Sequence, residues 1–524
     1  MVFITRETAK IPQIKGPLLE SYSNVQIFEG FPYKLYEVSI DSFTEKQREF
    51  VDLLTNAIKR VYSIEELRRT LPIKKAEEFA ELFNSEIIQT VEVNQLLLML
   101  PSYEVYTKLK KSFIKLLEEF FPDLENKEKV VTTILGEAVG YGLLEPLIRD
   151  DNLEEIMVNG PKRPIFVFHK KHGMCRTNIV IENERKLYRI VARIAYTVGK
   201  KFDENNALLD ARLPDGSRVN ATYKSATPFG YTLTIRKFNK TPLSIVQLIQ
   251  NRTISSEAAA FLWLAVEGLK INPMNIIVSG GASSGKTTLL NALGAFIRYD
   301  DRILTIEDTL ELDLGKRENW IQLEARPKIQ DTKEISMNDL LKNSLRMRPD
   351  RIIVGEVRGE EAQTMFVAMD TGHRGMLGTL HSNTAREMVL RLKSAPMNVP
   401  IHMIPLLDIA VIMFRMYDRR FGIIRRVREI AEIDRMEDKI LLSNVYEWNR
   451  KKDIVEKTDI PARTFDKLAN ATNLTKNEVK EEFIIRKRIL EWMLENNIVK
   501  WADVESVIQK YYLDPKSILD KITK

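Results

Sequence analysis

Asn275-Ile276-Ile277-Val278-Ser279-Gly280-Gly281-Ala282-Ser283-Ser284-Gly285-Lys286-Thr287-Thr288 is the stretch from which the rest of this 524-residue chain is read. Asn275 to Ser279 is an apolar run that reads as a buried strand, and Thr288 to Phe296 is a helix-forming run. Between them, Gly280 to Thr287 fits G-x-x-x-x-G-K-[ST] in full. Glycines at these positions let backbone N–H groups turn inward around phosphate oxygens, and the helix N-terminus adds its dipole. Lys286 then reaches the β and γ phosphates while Thr287 offers a hydroxyl to Mg²⁺. Gly280, Gly281, Ala282, Ser283, Ser284, Gly285, Lys286, Thr287 and Thr288 are therefore the candidate ATP-binding residues. A glycine-rich turn that happens to contain Lys-Thr is the alternative, and the strand before it and helix after it argue against that.

Outward from this loop the alternation is that of a parallel sheet. Strands are predicted over Ile303 to Ile306, Arg351 to Val354 and Gly375 to Leu380, with helical stretches between them. Acidic residues follow two of these strands, where ligands bind in open α/β sheets. In Thr305-Ile306-Glu307-Asp308-Thr309-Leu310-Glu311, either Glu307 or Glu311 could position or deprotonate an attacking water; a solvated acidic turn is the alternative. In Arg348-Pro349-Asp350-Arg351-Ile352-Ile353-Val354-Gly355-Glu356, the strand ends in Glu356 after a glycine, an acid suited to holding Mg²⁺ through water. Thr371-Gly372-His373-Arg374-Gly375 leads into a strand ending at Thr379-Leu380-His381. A lone histidine is usually structural, but His381 ends a parallel strand, where its ring could sense a γ-phosphate. His169, His172 and His402 read as ordinary.

The chain carries 79 Lys+Arg against 73 Asp+Glu, a formal charge of +6, too mild for its length to argue nucleic acid or membrane binding. Cys175 is its single cysteine, which forbids an intrachain disulfide and a cysteine zinc site. Met1 to Glu7 has no secretory-signal pattern. Ala258 to Val266 is cut by Glu267 and Lys270, and Ile401 to Phe414 contains Pro405 and Asp408, so neither reads as a membrane span. A soluble, cytoplasmic protein of about three domains is expected, at roughly 150 residues each.

Residues 1–126 read as mainly helical, with capping boxes at Thr44/Gln47 and Ser63/Glu66. The first forty or so are Pro-rich and irregular and are expected to be mobile. Residues 127–238 read as an α/β module, 239–243 as a linker, 244–440 as the P-loop core and 441–524 as helical again. Thr475/Glu478 is a capping box there, and Asp514-Pro515 opens a last helix.

In this order the motifs resemble the type II/type IV secretion ATPase superfamily, ring-forming motors of secretion, pilus assembly, conjugation and the archaeal swimming filament. Glu307-Asp308 is similar to its aspartate box, Gly355-Glu356 to its atypical Walker B and Gly372 to His381 to its histidine box. Upstream, Gly140 to Gly160 resembles the start of its N-terminal domain and Leu209 to Val219 its arginine-bearing segment. The likeness spans about Lys127 to Ile433. It implies an α/β fold with a RecA-like P-loop core, an α/β N-terminal domain and helical extensions at both ends. It also implies a homo-hexameric ATP hydrolase using ATP and Mg²⁺. Catalysis would draw on Glu307, Glu311, Glu356 and His381, with Arg212, Arg218 or Arg236 stabilising the transferred phosphoryl; surface ion pairs are the alternative for each arginine. The family's bacterial members often carry a four-cysteine zinc insertion, which a single Cys175 forbids. That departure, together with the long helical tails, resembles the archaeal branch that builds pili or the archaellum.

The implied partner is a polytopic membrane platform protein at the inner face of the cytoplasmic membrane, where the motor powers assembly or rotation of a filament. Zinc and nucleic acid are not expected. Arg415, Arg419, Arg420, Arg425, Arg426 and Arg428 form a basic cluster, usually a solvated face, that could meet acidic lipid and hold the protein peripherally at the membrane. Two alternative functions stand beside the motor. One is a DNA-translocating P-loop motor, though no nucleic-acid module is recognisable. The other is a non-hydrolysing nucleotide-gated scaffold, against which Lys286, Thr287, Glu307 and Glu356 argue together. No L-S-G-G-Q signature appears.

Overall fold

Alternating buried and exposed positions build most of the first of two units, Met1–Asn239 and Lys240–Lys524, into which the chain divides. The computed structural model describes residues 13–39, parts of 110–138, 141–213, 215–238, 242–326, 333–419, 422–437 and 439–522.

In the first unit the strands are β1 (Ile14–Tyr22), β2 (Val25–Phe31), β3 (Lys34–Val38), β4 (Leu153–Val158), β5 (Pro164–His169), β6 (Gly173–Val180), β7 (Leu208–Arg212), β8 (Arg218–Thr222) and β9 (Thr232–Arg236). Among the described residues they form one sheet in the order β1-β2-β3-β6-β5-β4-β9-β8-β7. Helix α1 (Glu184–Thr197) is capped by the Asn183 side chain, and its stripe of Leu187, Val191 and Ile194 packs into the same core as Ile156, Val167 and Ile235.

The expectation of an irregular, mobile first forty residues is corrected here. Residues 14–38 are a three-stranded meander whose Val25, Ile27, Tyr36 and Val38 are buried in that core, and β3 runs parallel to β6. Prolines misled the reading. Pro17 lies on the edge strand β1 and Pro32 between two strands, both places where a missing N–H costs no ladder bond. The α/β module thus starts well before residue 127. The Tyr22 and Tyr36 hydroxyls donate to the Asp150 carboxylate, and His172 Nε2 lies 2.5 Å from Glu20, tying the meander to the module. Gly140, the Thr44 and Ser63 capping boxes, most of residues 40–126, and linker residues 239–241 lie outside the described residues.

In the second unit the strands are β10 (Ile276–Gly280), β11 (Ile303–Glu307), β12 (Trp320–Glu324), β13 (Arg351–Val357), β14 (Leu377–Leu380), β15 (Ile409–Asp418), β16 (Gly422–Met436), β17 (Lys439–Asn449) and β18 (Ile454–Lys457). Among the described residues their order is β12-β11-β13-β14-β10-β15-β16-β17-β18. The pairs from β12 through to β15 are parallel and those from β15 to β18 antiparallel. The region after 440, expected to be helical, therefore opens with two strands that extend the sheet, and helix resumes only at Thr464.

Helix α2 (Ser256–Glu267) is buried at every position from Ala258 to Glu267. Such a helix needs cover on all sides. Its outer face is covered by the C-terminal helices α5 (Lys476–Glu495), α6 (Trp501–Leu513) and α7 (Pro515–Ile522), which share its hydrophobic cluster; α3 (Lys286–Gly294) and α4 (Ala385–Lys393) follow β10 and β14. Trp263 stacks on Phe296 with ring centroids 5.2 Å apart, and its indole N–H donates to the Tyr512 hydroxyl at 2.6 Å. Tyr512 in turn donates to the Phe296 carbonyl at 2.8 Å. Two buried ion pairs, Arg486–Glu267 at 3.0 Å and Arg317–Glu505 at 3.1 Å, complete the seam. No described helix is long and apolar enough to cross a membrane.

Breaking a buried pair strands the remaining charge, a loss of about 3 kcal/mol or more. Arg486→Ala is accordingly expected to lower the melting temperature of the full chain by several degrees, followed by tryptophan fluorescence. An unchanged melting temperature would show that the helices are held by apolar packing alone.

Candidate nucleotide site

The loop between β10 and α3 is shaped by positions where no side chain fits. A Cβ on Gly280 would meet the Met413 carbonyl at 2.4 Å and Ser284 Oγ at 2.6 Å. Gly285 has φ +95, the left-handed region that glycine enters without strain, and serves as the N-cap of α3. No side-chain oxygen caps that helix, and its Leu289 N–H reaches back to the Gly285 carbonyl at 2.9 Å. The N–H groups before Leu289 face the loop, where the complementary acceptor is an anion. Lys286 is 8% exposed and folds over the loop, its ammonium donating to the Gly281 carbonyl at 3.0 Å.

From this ammonium a hydrogen-bonded chain crosses three adjacent strand ends. Lys286 Nζ lies 3.4 Å from His381 Nδ1, one residue past β14, and His381 Nε2 lies 3.1 Å from Glu356 Oε1 on β13. An ammonium donates only, so Nδ1 accepts, and Nε2 carries the proton donated to the carboxylate. Burial pushes the ring's pKa below the ordinary histidine value, the Lys286 charge pushes the same way, and Glu356 opposes them. Beneath the ring, Ser279 Oγ donates toward the Leu380 carbonyl at 2.9 Å and lies 2.7 Å from Ser382 Oγ, locking β10 to the end of β14.

Glu356 is aimed by a bulge. The pairing of β13 with β14 shifts register between Val354 and Val357, so Gly355 and Glu356 are accommodated against one residue less on β14. Thr379 Oγ1 donates to the Gly355 carbonyl at 2.5 Å and pins the bulge. Gly355 has to be glycine because a Cβ there would stand 2.8 Å from Glu307 Cγ.

The four acidic and histidine candidates thus separate by role. Glu356 and His381 reach the loop lysine. Glu307 is 2% exposed, and its Oε2 accepts from the N–H groups of Glu311 at 2.7 Å and Leu312 at 3.0 Å, so it shapes the turn in which Glu311 sits. Asp308, beside it, pairs with Arg358 two residues past Glu356.

In the first unit, Arg212, Arg218 and Arg236 form a single row. Arg212 is paired with Arg218 across β7–β8, and Arg218 with Arg236 across β8–β9. Directly opposed residues share a face, so the three side chains stand on one sheet surface; Arg212 Nε donates to the Gly216 carbonyl at 3.2 Å.

The basic cluster does not behave as one solvated face. Arg426 is 5% exposed and makes two bonds of 2.8 Å with Asp453. Arg425 Nε donates to the Ser283 carbonyl of the loop at 3.0 Å. Sequence reading missed Ser279, Thr379 and this role of Arg425, because each acts on a residue remote in the chain and none carries a local signature. The oxygen donors at hand, the Thr287 hydroxyl on the first turn of α3 and the Glu356 carboxylate, are those a hard divalent cation such as Mg²⁺ takes.

Comparison with known proteins adds a lineage. The family model described as "Type II/IV secretion system protein" matches residues 137–418. An uncharacterized protein of Methanocaldococcus jannaschii is 41% identical over 67% of this chain and 46% of its own length, so the chain spans under half of that relative. A second protein of the same organism is 36% identical over 74% of this chain and 70% of its own. The conjugal transfer protein TrbB of Rhizobium radiobacter is 30% identical over 54% of this chain and 85% of its own.

The relay has a checkable signature. A ring whose folded pKa lies below its unfolded value of about 6.5 binds fewer protons folded than unfolded. The stability it contributes is thus present above that value and is lost as pH falls through the folded pKa. In an NMR titration of the His381 ring, Glu356→Gln is expected to lower the pKa further and Lys286→Ala to raise it. Shifts in the same direction would break the relay assignment.

Proposed function

This chain belongs to the type II/IV secretion system protein family, and from that premise we propose that it is an ATP-hydrolysing motor of a filament or secretion machine. The observation that carries the reading is the Lys286–His381–Glu356 chain, which joins the phosphate loop to the acid of the second nucleotide element through one histidine. The loop N–H groups and Lys286 bind the phosphates, the ammonium exchanging the Gly281 carbonyl for phosphate oxygens. Glu356, oriented by the bulge, and the turn held by Glu307 position the attacking water, with Glu307 or Glu311 as its base. His381 reports the state of Lys286 to Glu356, since a proton on its ring would repel the ammonium beside it. Thr287 and Glu356 are the residues that would hold Mg²⁺, which would supply neutralising charge to the phosphate oxygens.

Among Arg212, Arg218 and Arg236 are guanidinium groups of the kind that stabilise charge on a transferred phosphoryl. We place the protein as a homo-hexamer at the cytoplasmic face of a membrane. There it drives a type IV pilus-like or archaellum filament through a polytopic platform protein. The two M. jannaschii relatives support the archaeal assignment, and the family description supports the secretion machinery.

Purified full chain is expected to hydrolyse ATP in the presence of Mg²⁺, and Lys286→Ala to abolish it. Undiminished turnover in that variant would remove the motor reading. Glu356→Gln should keep ATP binding while turnover falls about a hundredfold or more, the scale of a lost water-positioning group. Arg218→Ala, if the row acts on the phosphoryl, should cut turnover by roughly a thousandfold with little loss of ATP affinity. A change of less than about twofold would return these arginines to the status of surface ion pairs.

A further inference from the structure

Strand β15 runs beside β10 as far as the pair Gly280–Met413 and then continues to Asp418 before β16 returns. The β15–β16 hairpin therefore projects past the end of β10 along the flank of the phosphate loop. On this stretch Arg415 and Arg425 are directly opposite.

Arg425 makes one hydrogen bond to the loop, its Nε donating to the Ser283 carbonyl at 3.0 Å. Its side chain also lies along Gly285, where an added Cβ would stand 3.6 Å from Arg425 Cδ. Ser283 itself is held at φ +55, a left-handed conformation that a residue with a side chain adopts at a cost. A carbonyl fixed toward the outside of such a loop leaves the neighbouring N–H groups turned to its inside, the geometry a phosphate cradle requires. We propose that Arg425 is a positioning residue of the nucleotide cradle, contributed by the β15–β16 hairpin of the same chain. It holds the Ser283 crest in its binding conformation. This proposal rests on the nucleotide reading of the loop given above, and it is separate from the arginine row of the first unit.

An arginine acting through the loop serves the bound ground state and the transition state alike, so its loss raises KM and leaves kcat. In the full chain, Arg425→Ala is expected to weaken binding of a fluorescent ADP analogue about tenfold, the worth of one charge-assisted contact. The KM for ATP should rise by a similar factor, with kcat within about threefold and the melting temperature without nucleotide unchanged. Arg425→Lys, which keeps one donor but loses the planar fork, should fall between, and it decides the matter should the alanine variant fail to fold. Wild-type ADP affinity and KM in both variants, with binding still lost in Lys286→Ala, would overturn the proposal and leave the nucleotide site standing. A lowered melting temperature with no change in KM would assign Arg425 to the fold alone. Absence of ADP binding by the wild-type chain would overturn the nucleotide reading, and this proposal with it.

Discussion

A close approach between β11 and β13 governs the geometry of the site. Glu307 lies so near the backbone of Gly355 that a single added carbon would stand 2.8 Å from its Cγ. Glycine at 355 permits that approach, the bulge at 355–356 sets Glu356 beside His381, and His381 reaches Lys286. The same glutamate ties down the turn after β11 through two backbone N–H groups. A buried carboxylate is expensive unless its oxygens are satisfied. Here the turn meets that requirement at Oε2, so the shape of the turn and the aim of a second acid share one carboxylate.

The second unit is larger than the P-loop sheet needs. Its C-terminal helices replace solvent over α2, whose apolar surface runs round the whole helix, and several polar side chains pair across the seam. Gln509 donates to the Ala295 and Ile297 carbonyls at the end of α3, and Tyr512 to that of Phe296. The C-terminal helices therefore brace the turn that follows α3, the helix whose opposite end forms the phosphate loop, and the C-terminal region is continuous with the core in cohesion as well as in chain.

Charge placement follows the same economy. Arginine in this chain does three different things: it is buried and paired at Arg426 and Arg486, set in a row at Arg212, Arg218 and Arg236, and laid on the loop at Arg425. Composition counts all of these alike. What distinguishes them is the dielectric and the partner each meets, and both are products of packing.

By itself the sequence determined what short-range chemistry can encode. The glycine and lysine spacing of 280–287, the apolar strand before it, the acid after Gly355 and the helix caps at Thr475 and Asp514 all depend on neighbours a few residues away. Each of those strands and helices stands in the structure within a few residues of its expected bounds. The N-terminal meander escaped because prolines that are harmless on a sheet edge resemble loop signals until the edge is known. The bulge at Gly355, the His381 link between two motifs nearly a hundred residues apart, the Ser279–Ser382 lock and the reach of Arg425 to Ser283 belong to the tertiary structure alone. A side chain's partner across the sheet is set by strand order and register, and in a parallel sheet those are fixed by crossovers through helices, not by anything adjacent in the chain.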